Sequence, residues 1–129
     1  MPKTAVDVPG VAPPAGHFSH AVVGEGRWLF VAGQVPLTAD GALVGDDPTE
    51  QTIQVLANLR TVVEAAGGSL DDVVKTTVFL TDLADRAPVG AVRRDTFGDP
   101  PPANTLVVVT SLADPAFKVE IEAIALLPG

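Results

Sequence analysis

The sequence predicts one α/β domain, a sheet covered by two helices on one face and by nothing on the other. Three observations carry that expectation. The chain has 129 residues, the usual size of a single domain, so residues 1–129 read as one unit. Only two stretches have helical spacing. Two strand-like segments, Arg27–Gly33 and Thr105–Thr110, are apolar on both sides, the mark of a sheet buried on both faces. Two helices can shield one side only, and a large bare apolar face usually marks an interface. The chain is therefore expected to work with copies of itself.

The elements follow in order. Lys3–Val8 alternates well enough for a short strand, and Pro9–Gly16 is a loop rich in proline and glycine. Ser19–Val23 and Arg27–Gly33 read as two strands joined by the turn Gly24-Glu25-Gly26. Thr38-Ala39-Asp40-Gly41 is a loop or hairpin turn. A helix then starts with Asp47 as its cap, Pro48 at the first helical position and Glu50 completing a capping-box-like pattern. Its apolar stripe is read as Ile53, Leu56, Leu59, Val63 and Ala66, and Gly67-Gly68 ends it. Val73–Thr81 is rich in β-branched residues and predicts a strand. A second helix is expected between Asp85 and Phe97, weakened by Pro88 and Gly90. Thr105–Thr110 and Phe117–Leu127 close the chain as strands.

Composition narrows the chemistry. Hydrophobic residues make up 47% of the chain but aromatics only 5%, so the core must be aliphatic. Sixteen acidic against eight basic residues give a net charge of −8, which repels phosphate backbones and makes nucleic acid an unfavourable partner. The only basic doublet is Arg93-Arg94. There is no cysteine, hence no disulfide, thiolate metal site or Cys nucleophile. No apolar run reaches membrane-spanning length, and Met1–Asp7 carries no leader-like apolar stretch. A cytoplasmic protein without metal or cofactor is the expectation.

Few residues stand out for chemistry. Glu120 and Glu122 share one strand face, roughly 7 Å apart by strand rise, with Ile124 and Leu126 on the same side. Partial desolvation there would suit a carboxylate for acid–base work; a solvated strand end with interface salt bridges is the plainer account. His17 and His20 lack a third ligand and a helix, so they do not make a metal site. His20 is a candidate acid or base, or a packing residue. Asn104 opens a strand and either satisfies backbone groups or offers an amide to a ligand.

Several segments together resemble the RidA/YjgF family, imine deaminases also labelled endoribonuclease L-PSP-like. They are Gly16–Ala21 (GHFSHA), Phe30–Pro36 (FVAGQVP), Asn58-Leu59 with Val63–Gly67, Val74–Leu83, Phe97–Ala103 (FGDPPPA) and Val119–Ala125 (VEIEAIA). The resemblance spans nearly the whole chain in order. It implies a chorismate-mutase-like α/β (α+β) fold, two helices on one face of a mixed sheet, and a homotrimer with a central barrel. Three small-molecule clefts then lie between neighbouring subunits.

The same resemblance assigns site residues. Glu120 matches the glutamate that holds the attacking water, and Ala32 and Gly33 match the backbone that meets the substrate. Asn104 stands where the family's carboxylate-clamping arginine belongs, Phe18 where it has a tyrosine, Gly90 where it has an asparagine, Leu106 where it has a cysteine, and His20 where it has a glutamine. An asparagine has no guanidinium fork, and charged hydrogen bonds contribute about 1.5–3 kcal/mol each. The expectation is an imine or enamine hydrolase acting outside the standard 2-imino acids, with a larger and more apolar pocket. The alternatives are a trimer that binds or senses a small metabolite without turnover and, against the charge balance, an endoribonuclease.

Overall fold

The computed structural model describes residues 3–129; Met1 and Pro2, where the leader-free reading begins, lie outside the described residues. Eight elements follow in order: β1 (Thr4–Ala5), β2 (Val22–Val23), β3 (Arg27–Gln34), α1 (Pro48–Ala65), β4 (Val73–Leu80), α2 (Arg86–Thr96), β5 (Ala103–Val108) and β6 (Val119–Leu127). Short 3-10 turns at Leu70–Asp72 and Leu83–Asp85 lead into β4 and α2. No helix among the described residues is long and apolar enough to cross a membrane.

The main sheet runs β3-β6-β4-β5. β6 is antiparallel to both neighbours, and β4 lies parallel to β5 across the α2 crossover, so the sheet is mixed, as expected. The expected hairpin between Ser19–Val23 and Arg27–Gly33 does not form. β2 pairs with β1, Thr4 opposite Val23, while β3 pairs with the distant β6 from Arg27↔Leu127 inward. Gly26, at φ 151°, makes the switch possible. A Cβ there would run into the Leu127 carbonyl.

Asp47 caps α1 through its carboxylate, which accepts from the Glu50 amide at 3.2 Å, and Pro48 sits in the first turn. The buried stripe is rotated from the expected one. Gln51, Thr52, Val55, Leu56, Leu59 and Val63 face inward, whereas Ile53 is 55% exposed. Gln51 turns the helix: its amide donates to the Gly45 and Ala116 carbonyls and its Oε1 accepts from Lys118 N. A fully satisfied amide can displace an isoleucine from the core, because burial without partners is what makes polar groups costly.

Both helices lie on one side. Val31 of β3, Ile121, Ala123 and Ala125 of β6, and Val78 and Leu80 of β4 pack there with Val55, Leu59 and Val63 of α1 and Val89 of α2. The alternate residues point the other way. On that bare side Trp28 and Phe30 stack with centroids 6.1 Å apart and planes 12° apart, 66% and 72% exposed. Val107, beside Phe79 in register, is exposed there as well.

Candidate functional site

A cleft of about 920 Å³ opens between the Ala15–Phe18 loop, α2 and the edge strand β5. Three contacts hold the loop to the chain that leads into β5. Ser19 Oγ donates to the Pro101 carbonyl at 2.7 Å, Ser19 N donates to the Pro102 carbonyl at 3.1 Å, and His17 Nε2–H donates to the Phe97 carbonyl at 3.0 Å. Together they hold Phe18 in the wall. Nothing in the composition singled out Ser19, which is buried; its place between the two histidines was the available hint.

Of the residues assigned from sequence, Phe18, Gly90, Asn104 and Leu106 line this cleft. A Cβ at Gly90 would meet nothing within 4 Å, so that glycine leaves the cleft wider. Asn104 accepts from Thr76 Oγ1 at 2.7 Å through Oδ1. Its carbonyl is thereby engaged and its NH₂ is what remains for a ligand. His20 is not part of the lining. It is exposed, donates Nε2–H to the Ala12 carbonyl and meets the Phe18 ring edge-on.

Ala32, Gly33 and Glu120 form a second group, away from the cleft lining. The β3–β6 register shifts between Val31 and Gln34, and the Glu120 carboxylate lies against Gly33. A Cβ at position 33 would collide with it. Close approach of a side chain to the backbone is what requires glycine here. Asn58 of α1 fixes the chain beyond this point, donating to the Val35 and Leu37 carbonyls at 3.0 and 2.9 Å. Glu122 shares the Glu120 face and is exposed. Among the described residues no three His, Asp or Glu side chains gather as metal ligands.

One residue of the cleft escaped sequence reasoning. Arg93 of α2 is only 5% exposed. Its Nη2 donates to Thr76 Oγ1 at 3.3 Å, its Cζ lies 5.9 Å from the centre of the Phe97 ring, and its buried Nε has no acceptor among the described residues. Burial pushes the guanidinium down to about 10, with no carboxylate offsetting it. Val89, Arg93 and Phe97, all buried, recur at spacing four. That period could have identified Arg93 as inward-facing, whereas the Arg93-Arg94 doublet reads as solvated charge.

Comparison with known proteins agrees with the fold. A family model described as endoribonuclease L-PSP matches residues 10–127. A RutC family protein of Pyrococcus abyssi is 40% identical over 126 residues, covering 97% of this chain and 98% of its own. A RutC family protein of Pyrococcus horikoshii is 43% identical over 113 residues, 87% and 88% of the two chains. Among solved structures, a conserved Rid family protein of unknown function from Yersinia pestis superposes with TM-score 0.90 at 38% identity, covering 98% of this chain and all of the other. RidA from the Antarctic bacterium Psychrobacter sp. PAMC 21119 gives 0.75 at 34% identity, covering 96% and 99%. With the family model spanning nearly the whole chain and these folds coinciding, the chain belongs to the RidA/YjgF family, the endoribonuclease L-PSP proteins, and has their chorismate-mutase-like fold.

Proposed function

We propose that the chain acts in the cytoplasm as a homotrimer that hydrolyses an imine or enamine metabolite other than the standard 2-imino acids. Residues 1–129 act as one domain, and neither metal nor cofactor takes part. The observation that carries this reading is the division of the assigned residues. Glu120 and Gly33 sit together on β6 and β3, whereas the cleft formed by Phe18, Gly90, Asn104 and Leu106 has no carboxylate in its lining. Bringing the bare sheet faces of neighbouring copies together sets the Glu120 of one copy at the cleft of the next. The match of Glu120 and Gly33 to the motif segments of the RidA/YjgF family supports the reaction class.

In the completed site Glu120 accepts a proton from water as the water oxygen bonds to the imine carbon and the C=N π pair moves to nitrogen. Glu120 passes that proton to the nitrogen, giving a neutral carbinolamine. It then takes the hydroxyl proton and delivers it to nitrogen as the C–N bond breaks, the C–O bond becomes a carbonyl and ammonia leaves, so that Glu120 ends ionised. The balance is imine plus water to carbonyl plus ammonia. Asn104 Nδ2 orients the substrate, and Ala32 and Gly33 border the reacting atoms with backbone.

The test is ammonia release from freshly generated imines of several amino acids and neutral amines. Glu120→Gln is expected to abolish release while ligand affinity persists. Release no faster than buffer from every imine, with ligand still bound, refutes turnover. It favours the second reading, a metabolite-binding or regulatory trimer, which the absence of a carboxylate from the cleft lining of the single chain supports.

A further inference from the structure

We propose that the cleft is a carboxylate site whose positive charge enters from α2 through Arg93, with Asn104 Nδ2 as the second donor. This deepens the preceding reading by naming the ligand's chemistry. It rests on the cleft being the ligand site and is independent of turnover.

A guanidinium buried without a counter-ion is an unfavourable arrangement, because the ion has left water and gained no opposite charge. Arg93 is in that position. It is 95% buried, counted from its 5% exposure. Among the described residues its only side-chain hydrogen bond goes to a neutral hydroxyl at 3.3 Å, and its Nε finds no acceptor there. Buried polar atoms left unpaired call for a specific explanation. Here the explanation lies next to it, since Arg93 lines the cleft.

The charge around the cleft agrees. Arg86 and Arg94 also line it, so it holds three of the chain's eight basic residues, while none of the sixteen acidic residues does. On a protein of net charge −8, a cleft walled by one sign of charge steers and concentrates the opposite sign. Thr76 links the two donors: its hydroxyl accepts from Arg93 and donates to Asn104 Oδ1. That relay turns Asn104 so that its NH₂ is the free end. One planar guanidinium and one amide donor between the apolar walls of Phe18, Val89 and Leu106 suit a planar monoanion better than a tetrahedral dianion. The charge absent at position 104 is supplied one relay away, displaced toward α2. The preferred substrate therefore holds its carboxylate at a different distance from the reacting carbon than a clamp at 104 would allow.

The experiment titrates propionate, propionamide and inorganic phosphate into the intact protein at fixed ionic strength, read by ligand-observed NMR. Propionate should bind saturably and more tightly than either the amide or phosphate. Arg93→Gln, which keeps a donor for Thr76, and Arg93→Met should each weaken propionate roughly tenfold to hundredfold, as loss of a charge-assisted contact does, and leave propionamide unchanged. Arg60→Met, an exposed arginine outside this cleft, should behave as wild type. Glu120→Gln should abolish ammonia release yet still bind propionate saturably, which separates failure of the catalytic reading from failure of this one. Undiminished propionate binding in both Arg93 variants overturns the proposal, as does an equal loss of propionamide or tighter binding of phosphate. Dissociation of the oligomer with propionate affinity intact also overturns it, and makes Arg93 an interface residue.

Discussion

Trp28 and Phe30 offer the clearest numerical test of self-association. They are 66% and 72% exposed and stack on the bare sheet face. With about 200 Å² for each ring, covering their exposed parts removes roughly 280 Å² per chain from water. At about 25 cal/mol per Å² that is worth about 7 kcal/mol per chain, as an upper bound. If half survives the entropy of association, Trp28→Ser with Phe30→Ser should weaken assembly by about 3 kcal/mol per copy, more than a hundredfold in Kd. The sheet should still fold, because the helix-side core of Leu59, Leu80 and Ile121 is untouched. Sedimentation velocity at micromolar concentration reads the outcome directly. The native chain is expected as an oligomer and the double variant as a 13.2 kDa species. Trp28 is the only tryptophan, so the emission of the native protein should also shift to the red on dilution. A double variant that sediments like the native protein refutes the assignment of this face to the interface.

Two further predictions concern the site. Gly33→Ala should push the Glu120 carboxylate off β3 and lower ammonia release by roughly a hundredfold, the usual effect of an ångström-scale displacement, with a melting change of only a few degrees; unchanged release shows that the contact between them has no part in the reaction. Arg93→Met should raise the melting temperature of the ligand-free protein at neutral pH. The downward shift to about 10 corresponds to a burial penalty of about 3 kcal/mol, against which the Thr76 hydrogen bond and the Phe97 ring return about 2 kcal/mol. The unfolded chain holds the proton more tightly, so the penalty is full below about pH 10 and fades as pH rises from there toward the ordinary arginine value. The gain, about 1 kcal/mol or a few degrees, should shrink over that interval, and a variant that melts well below wild type contradicts the picture of an uncompensated ion.

The readable parts of this fold were those set by local chemistry. Asp47-Pro48 fixed where α1 begins, and the alternation in Val119–Leu127 separated Ile121, Ala123 and Ala125 from Glu120 and Glu122. The parts set by distant partners were misread. The segment from Ser19 to Gly33 has the composition of a hairpin, yet β6, nearly a hundred residues on in sequence, is a better partner for β3 than β2 is. Ile53 belongs to a plausible stripe, and only the carbonyls of Gly45 and Ala116 explain why Gln51 takes the inward position. Motif resemblance named residues that fall into two groups, Phe18, Gly90, Asn104 and Leu106 along the cleft and Ala32, Gly33 and Glu120 on β3 and β6, and implied clefts between subunits without saying which residues each copy gives. Nor did it reveal Arg93, which α2 turns inward with Val89 and Phe97 and whose partner Thr76 lies on a different element.

The shared site is tested most directly by ammonia release from oligomers reassembled from equal amounts of Glu120→Gln and Gly90→Phe chains, the phenylalanine filling the space beside Gly90. Each variant alone should be silent. The mixture should recover roughly a quarter of native activity per site, because in a closed ring an intact cleft then meets an intact glutamate by chance. A mixture as silent as its parents, beside an active native protein, contradicts the account.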